Sequence, residues 1–168
     1  GMNRSIYPKF LRNLQWQGSS NRITYLDKDG LMVQQVNSDK TDTLVSRYAF
    51  KQICKRSGED SSIFIQSYNW INENKLMFNY KNSVYHFTLD ESLIKKVNTY
   101  PEEAENIDLS EEGKLVAYTR ANNLYIADAE KQIQVTRDEN EGIVNGQTVH
   151  RNEFGIEKGT FWSPDSRH

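Results

Sequence analysis

A pattern of four short strands recurs along the chain and constrains the fold more than any other feature. Runs rich in Val, Ile, Tyr and Phe alternate with turn sequences such as Asp27–Gly30, and such runs bounded by turn residues are typical of β-strands. Successive copies can be aligned on Trp16, Trp70, Leu109 and Trp162, which lie 54, 39 and 53 residues apart. Units of four strands and roughly 40 to 50 residues characterise β-propeller blades. The sequence therefore predicts a β-propeller.

The unequal spacing is explained by two insertions between the copies. In the first, Tyr48–Lys55 has the spacing of a short helix with Phe50, Ile53 and Cys54 on one face. The predicted divisions are blades at about 14–46, 63–98 and 107–137, an insertion at 138–160, and the start of a further blade at 161–168.

The predicted fold class is all-β, a partial β-propeller of about three four-stranded blades plus the start of a fourth. A β-sandwich built from the same number of short strands is the alternative, and the likeness between the copies favours the propeller. Propellers have about four to eight blades, so three and a start are too few to close a ring. The chain stops at Arg167-His168 just after a turn sequence, and we expect a fragment of a longer protein.

Composition excludes several classes of function. The formal net charge of −2 gives no indication of a nucleic-acid partner. No apolar run approaches the roughly 20 residues that span a bilayer. Cys54 is the only cysteine, which rules out an internal disulfide. The histidines at 86, 150 and 168 are scattered and form no ligand cluster with the right spacing, so we expect neither a metal nor a cofactor.

The third copy resembles a known family. Leu109–Tyr118, LSEEGKLVAY, is similar to the blade opening LSPDGKxVAY of propellers in the prolyl oligopeptidase clan. The continuation resembles the N-terminal domain of the dipeptidyl peptidase IV family in three segments, Asn122–Ile126, Val135–Asp138 and Ile143–Gly146. In that family an acidic segment and a WSPD strand follow, which here correspond to Val149–Phe154 and Phe161–Asp165.

The resemblance implies a serine exopeptidase that releases short N-terminal peptides after proline or alanine. In this family the propeller caps an α/β-hydrolase domain and helps form the substrate cavity, and the protein is exported to the periplasm or the cell surface. An acidic pair in the propeller binds the free α-amino group of the peptide substrate. A carboxylate facing an ammonium group makes a strong, charge-assisted hydrogen bond.

This chain departs from the family pattern at the amine-binding position. Many members have two or three consecutive acids, whereas this chain has Arg151-Asn152-Glu153. The amine-binding role is therefore carried over to Glu153 only, and Arg151 and Asn152 are further candidates for substrate binding. The form HRNEFGIEKGTFWSP resembles the bacterial branch that includes prolyl tripeptidyl peptidases. Release of a dipeptide and release of a tripeptide both remain open.

No residue of the chain is expected to be catalytic. A Gly-x-Ser-x-Gly nucleophile elbow is missing from the sequence, and Ser163 belongs to a Trp-Ser-Pro turn. The catalytic triad would belong to an α/β-hydrolase domain absent from these 168 residues. We expect substrate recognition and gating, and a homo-oligomer that pairs through the exposed edges of the terminal blades. The alternative is a propeller that serves only as a protein-interaction module, and the gene sequence beyond His168 would distinguish the two.

Overall fold

The computed structural model describes residues 11–140, 142–148 and 159–166, and its strands form three four-stranded antiparallel sheets. The first sheet holds β1 (Arg12–Trp16), β2 (Arg22–Asp27), β3 (Gly30–Gln35) and β4 (Thr41–Ser46). After helix α1 (Arg47–Arg56), the second sheet holds β5 (Asn69–Trp70), β6 (Lys75–Tyr80), β7 (Ser83–Thr88) and β8 (Leu93–Thr99). The third sheet holds β9 (Glu105–Leu109), β10 (Val116–Arg120), β11 (Asn123–Ala127) and β12 (Gln132–Gln134).

Each sheet is a simple meander in which strands adjacent in sequence pair with each other. This is the four-stranded blade predicted from the recurring pattern, and the all-β fold class with three blades is confirmed. The first strand of the second sheet is short, since it consists of Asn69–Trp70, which pair with Met77 and Leu76 of β6.

The predicted helix between the first two sheets is confirmed and extends from Arg47 to Arg56. Its first turn is capped by Ser46, whose Oγ accepts a hydrogen bond from Ala49 N at 3.1 Å. Phe50, Ile53 and Cys54 are buried on one face, as their spacing of three and four residues predicts. No helix in the described part of the chain is long and apolar enough to cross a membrane.

The apolar side chains form one cluster on each side of the second sheet. In the first cluster, Phe50 of α1 makes edge-to-face contacts with Phe78 and Phe87 at 5.8 and 5.6 Å between ring centroids. The second cluster joins Met77 and Val84 to buried residues of the third sheet. Because neighbouring residues of a strand point to opposite faces, Phe78 packs in the first cluster and Met77 in the second.

Hydrogen bonds from indole groups tie successive units together. Trp70 Nε1, at the start of the second sheet, donates to Thr24 Oγ1 of the first sheet at 2.8 Å. Trp162 Nε1 donates to Asp108 O of the third sheet at 3.0 Å. Trp162 thus donates a hydrogen bond to the preceding sheet, as Trp70 does, and this is the contact expected at the start of a fourth blade. The described residues 159–166 contain a turn and no strand.

Candidate functional site

The predicted site residues Arg151, Asn152 and Glu153 lie outside the described residues. The structure does describe both ends of the insertion that carries them, residues 138–140 and 142–148 before them and 159–166 after them. The site can therefore be built from its base upward.

The base of the insertion stands on the hairpin between β10 and β11. Arg120 pairs with Asn123 across a two-residue turn, and the central residues Ala121 and Asn122 both have positive φ, 46° and 63°. Left-handed values at both positions are typical of a type I′ turn, which matches the twist of paired strands. The turn leaves the carbonyl group of Asn122 pointing at the insertion, where it accepts a hydrogen bond from Asn145 N at 3.0 Å.

The side chain of Asn145 connects the two polypeptide segments of this base. Its Nδ2 donates to Asp138 Oδ2 at 2.9 Å and to Asn122 O at 3.2 Å. A side-chain amide carries two donor hydrogens, so both are used. Asn145 therefore holds the start of the insertion, at Asp138, and the hairpin turn at a fixed separation.

The side chain of Asn123 secures the same segment from the sheet side. Asn123 is buried; its Nδ2 donates to Asp138 O at 3.1 Å and to Ala121 O at 3.2 Å. Its Oδ1 accepts from Asp138 N at 2.8 Å and from Thr136 Oγ1 at 3.0 Å. The amide thus uses all four of its hydrogen-bonding positions, which fixes the backbone of Asp138 against β11.

Two glycines bring the ends of the insertion together. Gly159 N donates to Gly146 O at 3.2 Å, and a Cβ atom at Gly159 would lie 2.7 Å from Gln147 O. Gly146 has a φ of +66°, and a Cβ atom there would lie 3.0 Å from Thr119 Cγ2. The described residues on the two sides of positions 149–158 therefore lie next to each other. We call Asp138, Asn122, Asn123, Asn145, Gly146 and Gly159 the loop clasp.

The described part of this site contains a serine-aspartate turn and no metal-binding group. Ser163 Oγ donates to Asp165 Oδ1 at 2.6 Å within the turn predicted for it. The described residues include no group of three or more His, Cys, Asp or Glu side chains arranged to hold a metal ion.

Two potentially reactive side chains lie in the interior, away from the loop clasp. Burial raises the pKa of the Cys54 thiol, which disfavours the nucleophilic thiolate. Burial also lowers the pKa of His86, whose Nε2 lies 2.6 Å from Glu112 O. The carbonyl contact fixes that imidazole between the second and third sheets.

A cavity of about 380 Å³ lies beside α1, apart from the loop clasp. Its wall is formed by residues from the ends of β2 and β3, from α1 and from residues 62–65, and includes Arg47 and Lys51. None of the described residues between 138 and 166 lines it.

The loop clasp was missed from the sequence, although its members fall within recognised segments. The Asn145-Gly146 dipeptide is a common turn signal, and asparagines such as Asn122 and Asn123 are also frequent in turns. What the sequence does not indicate is that these two turns contact each other. The signal that was present is an excess of asparagine and aspartate at turns that flank a long insertion.

Comparison with known proteins finds similarity to the N-terminal region of dipeptidyl peptidase IV proteins. A family model described as the dipeptidyl peptidase IV N-terminal region matches residues 58–168. The structure is similar to that of a candidate dipeptidyl aminopeptidase IV from Bacteroides ovatus, with a TM-score of 0.77 and 31% identity over 95% of this chain. It is also similar in fold to Porphyromonas gingivalis dipeptidyl peptidase 4, with a TM-score of 0.56 and 24% identity over 92% of this chain. The chain spans 22% and 24% of the lengths of these two proteins.

Proposed function

Because the chain belongs to the family of dipeptidyl peptidase IV N-terminal regions, we propose that it is the substrate-recognition and gating part of a serine exopeptidase. The peptidase releases N-terminal dipeptides or tripeptides after proline or alanine. An α/β-hydrolase domain outside these residues supplies the catalytic triad, and this chain supplies the group that recognises the free N-terminus of the peptide.

The observation that carries the proposal is the closed base of the insertion. Gly159 N donates to Gly146 O at 3.2 Å, and Asn145 N donates to Asn122 O at 3.0 Å. A segment with fixed ends loses less conformational entropy when its side chains engage a ligand than a segment with free ends would lose. The insertion is therefore suited to presenting a recognition group.

Glu153 is the proposed recognition group. A carboxylate that accepts hydrogen bonds from the α-ammonium group of a peptide binds it with charge-assisted strength. Binding the N-terminus at a fixed point also determines how many residues are released, because only one peptide bond then lies at the catalytic serine. Arg151 and Asn152 are proposed to hold the peptide backbone beside that point, with Arg151 donating to a substrate carbonyl group.

The substitution Glu153→Gln tests the proposal in the protein that joins this chain to its hydrolase domain. Loss of the carboxylate should raise KM for a free-amine peptide by about tenfold or more, because hydrogen bonds to charged groups contribute about 1.5 to 3 kcal/mol. KM for the same peptide with an acetylated N-terminus should not change. Steady-state kinetics with chromogenic peptides ending in Pro or Ala provide the measurement.

The matched control is Glu157→Gln, which removes a carboxylate from the same insertion. We expect kinetics equal to those of the unmodified protein, because no recognition role is proposed for Glu157. If Glu153→Gln leaves KM for free-amine peptides unaltered, Glu153 is not the amine-binding residue.

A further inference from the structure

We propose that the cavity beside α1 is a binding site for a small amphipathic carboxylate, an anion with one carboxylate group and a short apolar tail. The cavity has a volume of about 380 Å³ and lies between the first sheet, α1 and residues 62–65. Pockets that bind small molecules have volumes of about 300 to 1,000 Å³, so this cavity suits a small ligand. The inference goes beyond the proposed function, since it requires neither residues 151–153 nor a peptidase activity.

The deep part of the cavity is apolar. Its wall includes Leu31 of β3, Phe50 of α1 and Ile63, and all three side chains are buried. They belong to the first apolar cluster, so the cavity opens directly onto the packed core. Protein interiors contain few voids larger than a water molecule, and apolar cavities take up apolar molecules in preference to water. This part of the cavity therefore suits the apolar tail of a ligand.

Two cationic side chains lie at the mouth of the cavity. Arg47 and Lys51 are exposed and contribute to its wall, and their spacing of four residues places them on the same side of α1. In the part of the chain that the structure describes, the ion pair found joins Lys114 to Glu112, and neither Arg47 nor Lys51 is paired with a carboxylate. Both cations are therefore available to an external anion, and the planar guanidinium group matches a carboxylate in particular.

The charges of the cavity match a ligand with a single negative charge. Asp27 also lines the cavity, and its Oδ1 accepts a hydrogen bond from Lys28 N at 2.6 Å within the β2–β3 turn. Arg47 Nη2 donates to the backbone carbonyl group of Asp27 at 3.4 Å, a long contact that leaves the guanidinium charge uncompensated. The two cations and the one anion give the cavity wall a net charge of +1. An anion with one carboxylate balances this charge, whereas a cation would add to it.

Methyl NMR titration of the 168-residue chain with octanoate tests the location of the site. We expect saturable chemical-shift changes at the methyl groups of Leu31 and Ile63, which line the cavity. The methyl groups of Val84 and Val116 in the second apolar cluster should not shift and serve as the internal control. If octanoate shifts no methyl group, or shifts those of both clusters equally, the cavity is not the binding site.

Related ligands test the tail and the charge separately. From hexanoate to octanoate, affinity should rise about fourfold for each added methylene group, because each one is transferred from water to an apolar surface. 1-Octanol keeps the tail and lacks the charge, so it should bind about tenfold more weakly than octanoate. Octylammonium should bind more weakly still, because its charge is repelled by Arg47 and Lys51. Equal affinities for octanoate and octylammonium would overturn the proposal.

The variants Arg47→Gln and Lys51→Gln test the two cations. Each should weaken octanoate binding by about fivefold, the upper end of the range for exposed ion pairs, and leave 1-octanol binding unchanged. The matched control is Lys55→Gln, which removes an exposed lysine of α1 that does not line the cavity and should bind octanoate normally. All three side chains are exposed, so the variants should remain folded, and their methyl spectra check this. Unaltered octanoate affinity in both cavity variants, or an equal loss in Lys55→Gln, would contradict the assigned role of Arg47 and Lys51.

Discussion

At the scale of single residues, the hydroxyl group of Thr24 organises the contact between the first two sheets. Its Oγ1 accepts from Tyr68 Oη and from Trp70 Nε1, both at 2.8 Å. Tyr68 is buried, and burial raises the pKa of its phenol to about 12. The neutral phenol is therefore part of the packed interface, and ionising it would place a charge between the two sheets.

Tyr68 predicts a loss of stability in alkali. Because its pKa in the folded chain, about 12, lies above the ordinary value of about 10, the folded state retains the proton longer than the unfolded state. The resulting stabilisation is complete below about pH 10 and should disappear between pH 10 and 12, by at most about 1.4 kcal/mol per pH unit.

Urea unfolding across this range checks the Tyr68 prediction against the variant Tyr68→Phe. The variant lacks the titrating group but keeps the ring and the Trp70 contact to Thr24. The difference in free energy of unfolding between the two proteins should narrow as the pH rises from 10 to 12. Two curves that stay parallel would show that the phenol of Tyr68 has an ordinary pKa.

At the scale of elements, α1 joins the first two sheets by packing against β4 and β8. Ser46 ends β4 and also caps α1, since its Oγ accepts from Ala49 N at 3.1 Å. The chain thus passes from strand to helix without a linking loop. The helix brings Phe50 into the aromatic cluster with Phe78 and Phe87.

Removing the cap of α1 should destabilise the whole chain. We expect Ser46→Ala to lower the free energy of unfolding by about 1 kcal/mol, because one N–H of the first turn loses its acceptor. Urea denaturation monitored by far-ultraviolet circular dichroism measures the change. The matched control is Ser46→Thr, which keeps a hydroxyl acceptor and should retain most of the stability. Equal stability of all three proteins would mean that the cap contributes nothing.

Element by element, local patterns were predictable from the sequence and long-range contacts were not. The helix followed from the spacing of Phe50, Ile53 and Cys54, because helical period and burial agree there. Phe64 lies before the first strand of the second sheet and packs edge-to-face on Tyr80, with ring centroids 5.3 Å apart. A short apolar run can bury its side chains either in a β-strand or in a loop that packs on a sheet, and the sequence does not distinguish the two.

In the candidate site, too, the local sequence pattern was predictable and the long-range contacts were not. The family resemblance drew attention to Glu153, which lies outside the described residues, and that assignment stays a prediction. The hydrogen bond from Asn145 to Asp138 depends on where the β10–β11 turn lies relative to the insertion. This relation is set by the packing of the third sheet, and no local pattern encodes it.

At the scale of the whole molecule, apolar side chains are exposed on both terminal sheets. On β1, Leu14 and Trp16 are 53% and 57% exposed, and Ile133 of β12 is 49% exposed. Both strands lie at sheet edges, where unpaired backbone groups invite pairing with another chain. We propose that copies of this chain associate through these terminal strands.

Association should appear as a dimer in sedimentation equilibrium. Trp16→Lys should weaken it by about tenfold or more, because a charge replaces a large apolar side chain and edge lysines oppose pairing. The matched control is Tyr48→Lys, which changes an aromatic residue of α1 that is 75% exposed and should leave the association unaffected. A stable monomer at high protein concentration would contradict the proposal.

The placement of the two apolar clusters on opposite faces of the second sheet determines how cooperatively the chain unfolds. The outer sheets each bury one face against this sheet, whereas Phe78 and Met77 anchor it on both sides. If the first or the third sheet unfolds, the apolar cluster on the other side of the second sheet remains. If the second sheet unfolds, both clusters are disrupted. In a linear array coupled through nearest neighbours, the second sheet contributes most to cooperativity. The first and third sheets can unfold locally, each without the other.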